Sequence, residues 1–250
     1  MQIKDSAVVV TGGASGLGAA VARAFAGKGA AVVLFDRDAA RGQALATEIG
    51  ATFVEVDVTS EASVQAGVLA ARAAMGRISV LVNCAGIATG ARTLGRDGPH
   101  DLALFQRTID INLVGSFNCM RLVAAEMAGN AAVEGERGVV INTASIAAFD
   151  GQKGQTAYAA SKAAIAGMTL PAARDLAGVG VRVCAIAPGV FLTPMLEGLG
   201  ADLQDGLAAD VTFPKRLGRP EEFAALAGFI VECNYLNGEV IRLDGALRMR

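Results

Sequence analysis

The chain has 250 residues, 53% of them hydrophobic and 18% charged, with a formal net charge of −2 and a pI near 5.5. That balance suits a large buried core in a single domain, 1–250, and excludes a disordered chain or a basic nucleic-acid surface. No apolar stretch approaches the ~20 residues that cross a bilayer, so no membrane partner is expected.

The opening residues, Met1-Gln2-Ile3-Lys4-Asp5-Ser6, carry no basic n-region, apolar h-region or Arg-rich presequence, which predicts a cytoplasmic address. A β-branched run over Ala7–Thr11 then reads as a strand. It leads directly into Thr11-Gly12-Gly13-Ala14-Ser15-Gly16-Leu17-Gly18, where a helical pattern, Gly18–Lys28, begins. A glycine loop between a strand and a helix is the setting in which backbone N–H groups and a helix N-terminus can hold a pyrophosphate. The next strand, Ala31–Asp36, ends on a carboxylate that can accept hydrogen bonds from ribose hydroxyls and repel an added phosphate. NAD is therefore predicted over NADP, although Arg37 could pair with that phosphate.

Helix Ala39–Ile49, strand Thr52–Glu55, helix Ser63–Met75 and strand Val80–Asn83 follow. Strands separated by helices imply a doubly wound parallel sheet of about seven strands with helices on both faces, a Rossmann fold. Polar, glycine-rich stretches over Thr89–Leu102 and Gly129–Gly138 interrupt the spacing and read as surface loops. His100, in the first of them, is expected to be exposed and has no role. Cys84, Cys119, Cys184 and Cys233 form no C-x-x-C pair and are expected as buried free thiols. With a single histidine, neither a usual zinc site nor most Ser–His–Asp hydrolysis is available, so no metal is predicted.

Strand Val139–Thr143 is followed by Ser145, and helix Ala157–Leu170 carries Tyr158 and Lys162. Four residues apart on a helix, those two side chains share a face about 6 Å apart along the axis. A nearby ammonium favours phenolate, so Lys162 is expected to lower the Tyr158 pKa for general acid–base work, with Ser145 holding the substrate oxygen. Pro171 is expected to kink its helix. Strand Arg182–Ala187, a loop over Gly198–Gly218 that could cover a ligand, and strand Glu239–Leu243 complete the pattern. Tyr235 lacks a lysine four residues on and reads as a packing residue.

These residues resemble the short-chain dehydrogenase/reductase family along the whole chain. Thr11-Gly12-x-x-x-Gly16-x-Gly18 is similar to its phosphate loop, Asp57-Val58 to its adenine-contact pair, and Asn83-Cys84-Ala85-Gly86 to its Asn-Asn-Ala-Gly segment. Asn112 stands at its fourth catalytic position, which in the family holds a water leading to the lysine. Pro188-Gly189 and Thr193 match its nicotinamide-contact segment. The segments Asn142–Ser145, Gly167–Pro171 and Asn237–Ala246, with Cys84 itself and the two polar insertions, narrow the resemblance to type II 3-hydroxyacyl-CoA dehydrogenases, a group also described as 17β-hydroxysteroid dehydrogenase type 10.

The resemblance implies that Gly12, Ser15, Gly16, Leu17, Gly18, Asp36, Asp57, Val58, Cys84, Ala85, Gly86, Pro188, Gly189, Phe191 and Thr193 contact NAD. Tyr158 and Lys162 would also touch its nicotinamide ribose. It implies Ser145, Tyr158, Lys162 and Asn112 as catalytic, Gln155 as a pocket residue beside Ser145 and Tyr158, a homotetramer, and a place in fatty-acid metabolism. The implied reaction is (S)-3-hydroxyacyl-CoA to 3-oxoacyl-CoA. A steroid or other secondary-alcohol dehydrogenase, a 3-oxoacyl-carrier-protein reductase, which Asp36 argues against, and a dinucleotide-binding scaffold are the alternatives.

Overall fold

A computed structural model describes residues 1–96, 98–193, 196 and 206–249. Seven strands form one sheet: β1 (Ala7–Thr11), β2 (Ala31–Asp36), β3 (Thr52–Glu55), β4 (Val80–Asn83), β7 (Gly138–Thr143), β8 (Val181–Pro188) and β9 (Val240–Leu243). They lie in the order β3-β2-β1-β4-β7-β8-β9, all parallel. A separate antiparallel pair, β5 (Leu94–Gly95) and β6 (Gly98–Pro99), forms a small hairpin inside the first polar insertion.

The helices are α1 (Gly16–Gly27), α2 (Ala39–Ile49), α3 (Glu61–Met75), α4 (Leu102–Ile109), α5 (Gly115–Ala128), α6 (Thr156–Ala177) and α7 (Pro220–Glu232), with a π-turn, Asp110–Val114, between α4 and α5. Alternate strand residues feed two cores. Val8, Val10, Val80, Val82, Val139 and Ile141 pack toward α1, α2 and α7, meeting Phe25, Leu45 and Phe223. Val9, Leu81, Val140 and Val183 pack on the other face against Val64 and Val68 of α3, Met120 and Val123 of α5, and Ala173 of α6. Each such fully buried Val, Leu or Ile side chain contributes about 1.5–3 kcal/mol relative to exposure. Burial on both faces explains why these strands read as continuous apolar runs rather than alternating ones.

Local chemistry fixes the helix ends. Asp38, Ser60 and Asp101 cap α2, α3 and α4 through side-chain oxygens that accept from Arg41 N, Ser63 N and Ala103 N. Gly50 and Gly76 close α2 and α3 with left-handed backbone.

Three expectations need correction. Helix α6 does not stop at Leu170 but continues through Pro171 to Ala177. Pro171 lacks the N–H that would bond the Gly167 carbonyl, so the helix runs on with that one backbone bond missing. The insertion Thr89–Leu102 is partly structured. His100 is partly buried, with Nδ1 at 2.7 Å from Asp101 O and its ring edge-on to Phe105, because that hairpin folds back on α4. The loop predicted over Gly198–Gly218 lies outside the described residues up to position 205. Among the described residues no helix is long and apolar enough to cross a membrane.

Candidate active site

The strand order reverses between β1 and β4, and the crevice beyond the carboxyl ends of the strands at such a point is where a doubly wound sheet binds ligands. A cleft of about 610 Å³ lies there. Gly12, Ser15, Gly16, Leu17 and Gly18 form one wall, and Asp36, Asp57 and Val58 form the far end. Cys84, Ala85, Gly86 and Thr193 close the opposite side.

The phosphate loop tolerates no bulk. A Cβ on Gly18 would lie 2.2 Å from Gly12 O, and one on Gly12, where φ is +62°, would lie 2.7 Å from Ala85 N. Unlike α2, α3 and α4, helix α1 has, among the described residues, no side-chain cap on its first-turn N–H groups. Those donors and the positive end of the helix dipole remain for an anion. Asp36 is held rigidly: its Oδ2 accepts from Ala14 N and its Oδ1 from Asp38 N, each at 3.0 Å. Arg37, the discordant cation of the sequence, leans toward Asp57 at 3.8 Å, and Asp57 also accepts from the Thr59 hydroxyl and amide. The Thr59 hydroxyl first, and then its amide and Arg37, hold the Asp57 carboxyl below its usual range against the opposing effect of burial. An uncapped helix, a side-chain-free loop and an anchored carboxylate at the distance of a second strand fit a dinucleotide.

The second constellation gathers where β7 meets α6. Ser145 caps a short 3-10 turn, Ile146–Ala148, its Oγ accepting from Ala147 N at 3.1 Å. Ser145, Lys162 and Asn112 are buried, Tyr158 partly so. Lys162 Nζ donates to Thr143 O at 2.7 Å and lies 5.9 Å from the centre of the Tyr158 ring. Burial lowers the Lys162 pKa to about 8. Burial also raises the Tyr158 pKa, opposed by the Ser145 hydroxyl. This corrects the expected depression of Tyr158 by Lys162: without a ligand, desolvation of the phenolate wins over an ammonium this far away that is turned to a backbone carbonyl.

Other predicted residues separate. The Asn112 side chain is fully engaged: Oδ1 accepts from Ile87 N, and Nδ2 donates to Ile87 O and to Ser161 Oγ. It braces the wall of the cleft against α6. Cys84 Sγ accepts from Thr143 Oγ1, and burial pushes its thiol up to about 11. Gln155 turns its Oε1 back to Gln152 N. The Phe191 ring is packed edge-on against Phe223, 6.4 Å between centroids, and away from the cleft. Pro188 ends β8 and Gly189 follows it, both outside the cleft walls; Gly189 N is held by Leu243 O.

A family profile described as short chain dehydrogenase matches residues 6–204. The chain belongs to the short-chain dehydrogenase family. It is 52% identical over 253 residues to the human protein named 3-hydroxyacyl-CoA dehydrogenase type-2, covering 99% of this chain and 97% of that one. The Drosophila melanogaster protein of the same name is 52% identical over 252 residues, covering 99% of each. The crystal structure titled 3-hydroxyacyl-CoA dehydrogenase type-2 from Mycobacterium avium superposes with a TM-score of 0.93 at 47% identity, covering 97% of this chain and 96% of that one. As a family member, the chain is an oxidoreductase.

Sequence reasoning missed Arg41, Ile87, Arg107 and Ile111, which also line the cleft. Arg107 and Ile111 were within reach, since they stand four apart just before Asn112 and so share a helix face. Ile87 directly follows the predicted Asn83–Gly86 segment, and Arg41 arrives through tertiary packing.

Proposed function

We propose that this short-chain dehydrogenase uses NAD to interconvert (S)-3-hydroxyacyl-CoA and 3-oxoacyl-CoA thioesters, with chain 1–250 acting as one unit. The reading is carried by Ser145, Tyr158 and Lys162 meeting at one strand end in a chain 52% identical, nearly end to end, to relatives named for that chemistry. Gly12, Ser15, Gly16, Leu17 and Gly18 would hold the pyrophosphate, Asp36 the adenosine ribose, and Asp57 and Val58 the adenine. Cys84, Ala85, Gly86, Pro188, Gly189, Thr193 and the backbone at Phe191 would flank the nicotinamide half. When bound, NAD supplies the hydride acceptor for the carbinol carbon, and NADH the donor in the reverse direction.

The protein's own part is to hold the oxygen and move its proton. Ser145 orients the substrate oxygen by a hydrogen bond. Tyr158 gives its phenolic proton to the ketone oxygen in reduction and takes the hydroxyl proton in oxidation. Burial keeps Tyr158 protonated near neutrality, the state that reduction needs. Reduction is therefore expected to fall, and oxidation to rise, as pH climbs toward the tyrosine pKa. Lys162 stands ready to hold the ribose and to charge and discharge close to working pH. Asn112 supports the proton path by fixing the Ile87 backbone, and Gln155 borders the acyl pocket.

The homotetramer, the cytoplasmic address and a place in fatty-acid metabolism belong to this proposal. Exposed Val114 and Phe117 on one helical surface and exposed Phe229 on α7 support self-association; Tyr235, expected to pack, is instead fully exposed in the turn beyond α7.

The test is NADH consumption with acetoacetyl-CoA, beside NADPH and a steroid ketone. Rapid turnover of the thioester with NADH is expected. Activity on the steroid alone would overturn the substrate, and preference for NADPH the role of Asp36. Tyr158→Phe should lose turnover by on the order of 10²–10⁴ while keeping NADH affinity; a nearly active variant refutes the proton role.

A further inference from the structure

Five residues beyond Ser145 stands Asp150, at the start of the loop that leads to Tyr158. Asp150 N donates to Ile146 O, so its position is tied to the single turn that Ser145 caps. The same loop lies against the first turn of α6, where a Cβ on Gly151 would come 2.9 Å from Ala159 Cβ. Neither contact explains what holds the loop from outside.

Arg242 does. It sits on edge strand β9, paired in register with Ala187. Its Nη2 donates to Asp150 Oδ2, and its guanidinium lies over the Phe149 ring, 5.2 Å from the centroid. Its Nε donates to Asp244 Oδ2 at 2.8 Å, and Nη2 reaches Leu247 O at 3.2 Å. Asp244 is anchored independently, since its Oδ1 accepts from Ala246 N at 2.9 Å. Asp244 also packs against Gly189, whose Cβ would lie 2.9 Å from Asp244 Cα. One planar cation thus joins the Ser145 side of the site to the strand end beside Pro188-Gly189, across 92 residues of sequence. A guanidinium holds both carboxylates through separate nitrogens of one rigid plane, a geometry that the single nitrogen of a lysine does not reproduce.

We propose that Arg242 is a positioning residue for the reaction: through Asp150 it sets where the Ser145 turn and the Tyr158 loop stand relative to the cofactor side. The glycine loop and Asp36 hold their places without it, so its loss acts on substrate and chemistry rather than on dinucleotide affinity. A displacement of about 1 Å at a reacting group costs on the order of 10²-fold in rate, which sets the scale.

The inference rests on the ketone-reductase reading only for its assay. Wild-type turnover tests that reading; the ratio of variant to wild type, on whichever ketone is turned over, tests Arg242. Arg242→Gln is expected to lower kcat/KM about tenfold or more, in kcat as well as KM, with the NADH dissociation constant within about twofold. Arg242→Lys should fall between. Asp150→Asn should reproduce the loss, and the double variant should be no worse than either single one, because both break one link. Should Arg242→Gln only lower the melting temperature and leave the kinetics of the folded enzyme intact, the proposal fails. Parallel loss of NADH affinity, or additive losses in the double variant, would overturn it equally.

Discussion

Lys162 is a buried cation whose pKa falls to about 8 from an ordinary 10.5, through desolvation. Below pH 8 the native chain therefore carries an ammonium that is better solvated in the unfolded chain. Between about pH 8 and 10.5 the unfolded state binds more protons than the native state at this site, so native stability rises with pH. From pH ~7 to pH ~9.5 the gain is ~2 kcal/mol by linkage. Cys84, held near 11, and Tyr158, held above its usual value, both by burial, titrate earlier in the unfolded chain and so oppose this rise, but wild type and a Lys162 variant share that contribution and the difference between them removes it.

The perturbation is Lys162→Met, which keeps the stem and removes the titrating group. Loss of the bond to Thr143 O changes absolute stability by a similar amount at both pH values and cancels in the comparison. Urea unfolding of ligand-free wild type and variant, at one protein concentration, gives the four free energies. The wild type should improve relative to the variant by ~2 kcal/mol at the higher pH. A pH-independent gap would mean that Lys162 is solvated like an ordinary surface lysine, and a gap moving the other way would mean that the fold favours its charge.

Gly18→Ala forces a methyl to within 2.2 Å of Gly12 O and should weaken NADH binding by ~1–3 kcal/mol in a fluorescence titration, whereas Gly27→Ala, with nothing within 4 Å, should leave it unchanged. Asp36→Ala frees Ala14 N and Asp38 N together and removes the carboxylate proposed to face the ribose; the NADPH-to-NADH affinity ratio should rise about tenfold or more, and an unchanged ratio would remove Asp36 from cofactor choice. Glu136→Ala strips the carboxylate from buried Arg182, which keeps only backbone acceptors at Ile230, Val231 and Leu236. It should cost about 3 kcal/mol in urea unfolding.

What the sequence made legible follows from what a local pattern can encode. Strands β1, β2 and β4 stand where their β-branched runs placed them, because burial on both faces favours uninterrupted apolar residues, while β3, at the sheet edge with Thr52 and Glu55 exposed, was found by its position between two helices. The phosphate loop was legible because glycine at 12 and 18 is a steric requirement, written in residue type. Spacing placed Tyr158 and Lys162 on one helical face but could not weigh burial against charge, and the Tyr158 pKa moved the opposite way from expectation. Asn112 stood out by position, yet its amide is spent on Ile87 and Ser161, partners 25 and 49 residues away in sequence. Arg242 lies in the Asn237–Ala246 segment that carries the resemblance, yet its role was not legible there: an arginine on an edge strand reads as a solvated side chain until the fold brings Asp150 to it. The motif thus names the groups that touch the reactants. The side chains that hold those groups at working distance are set by long-range packing, which periodicity does not record.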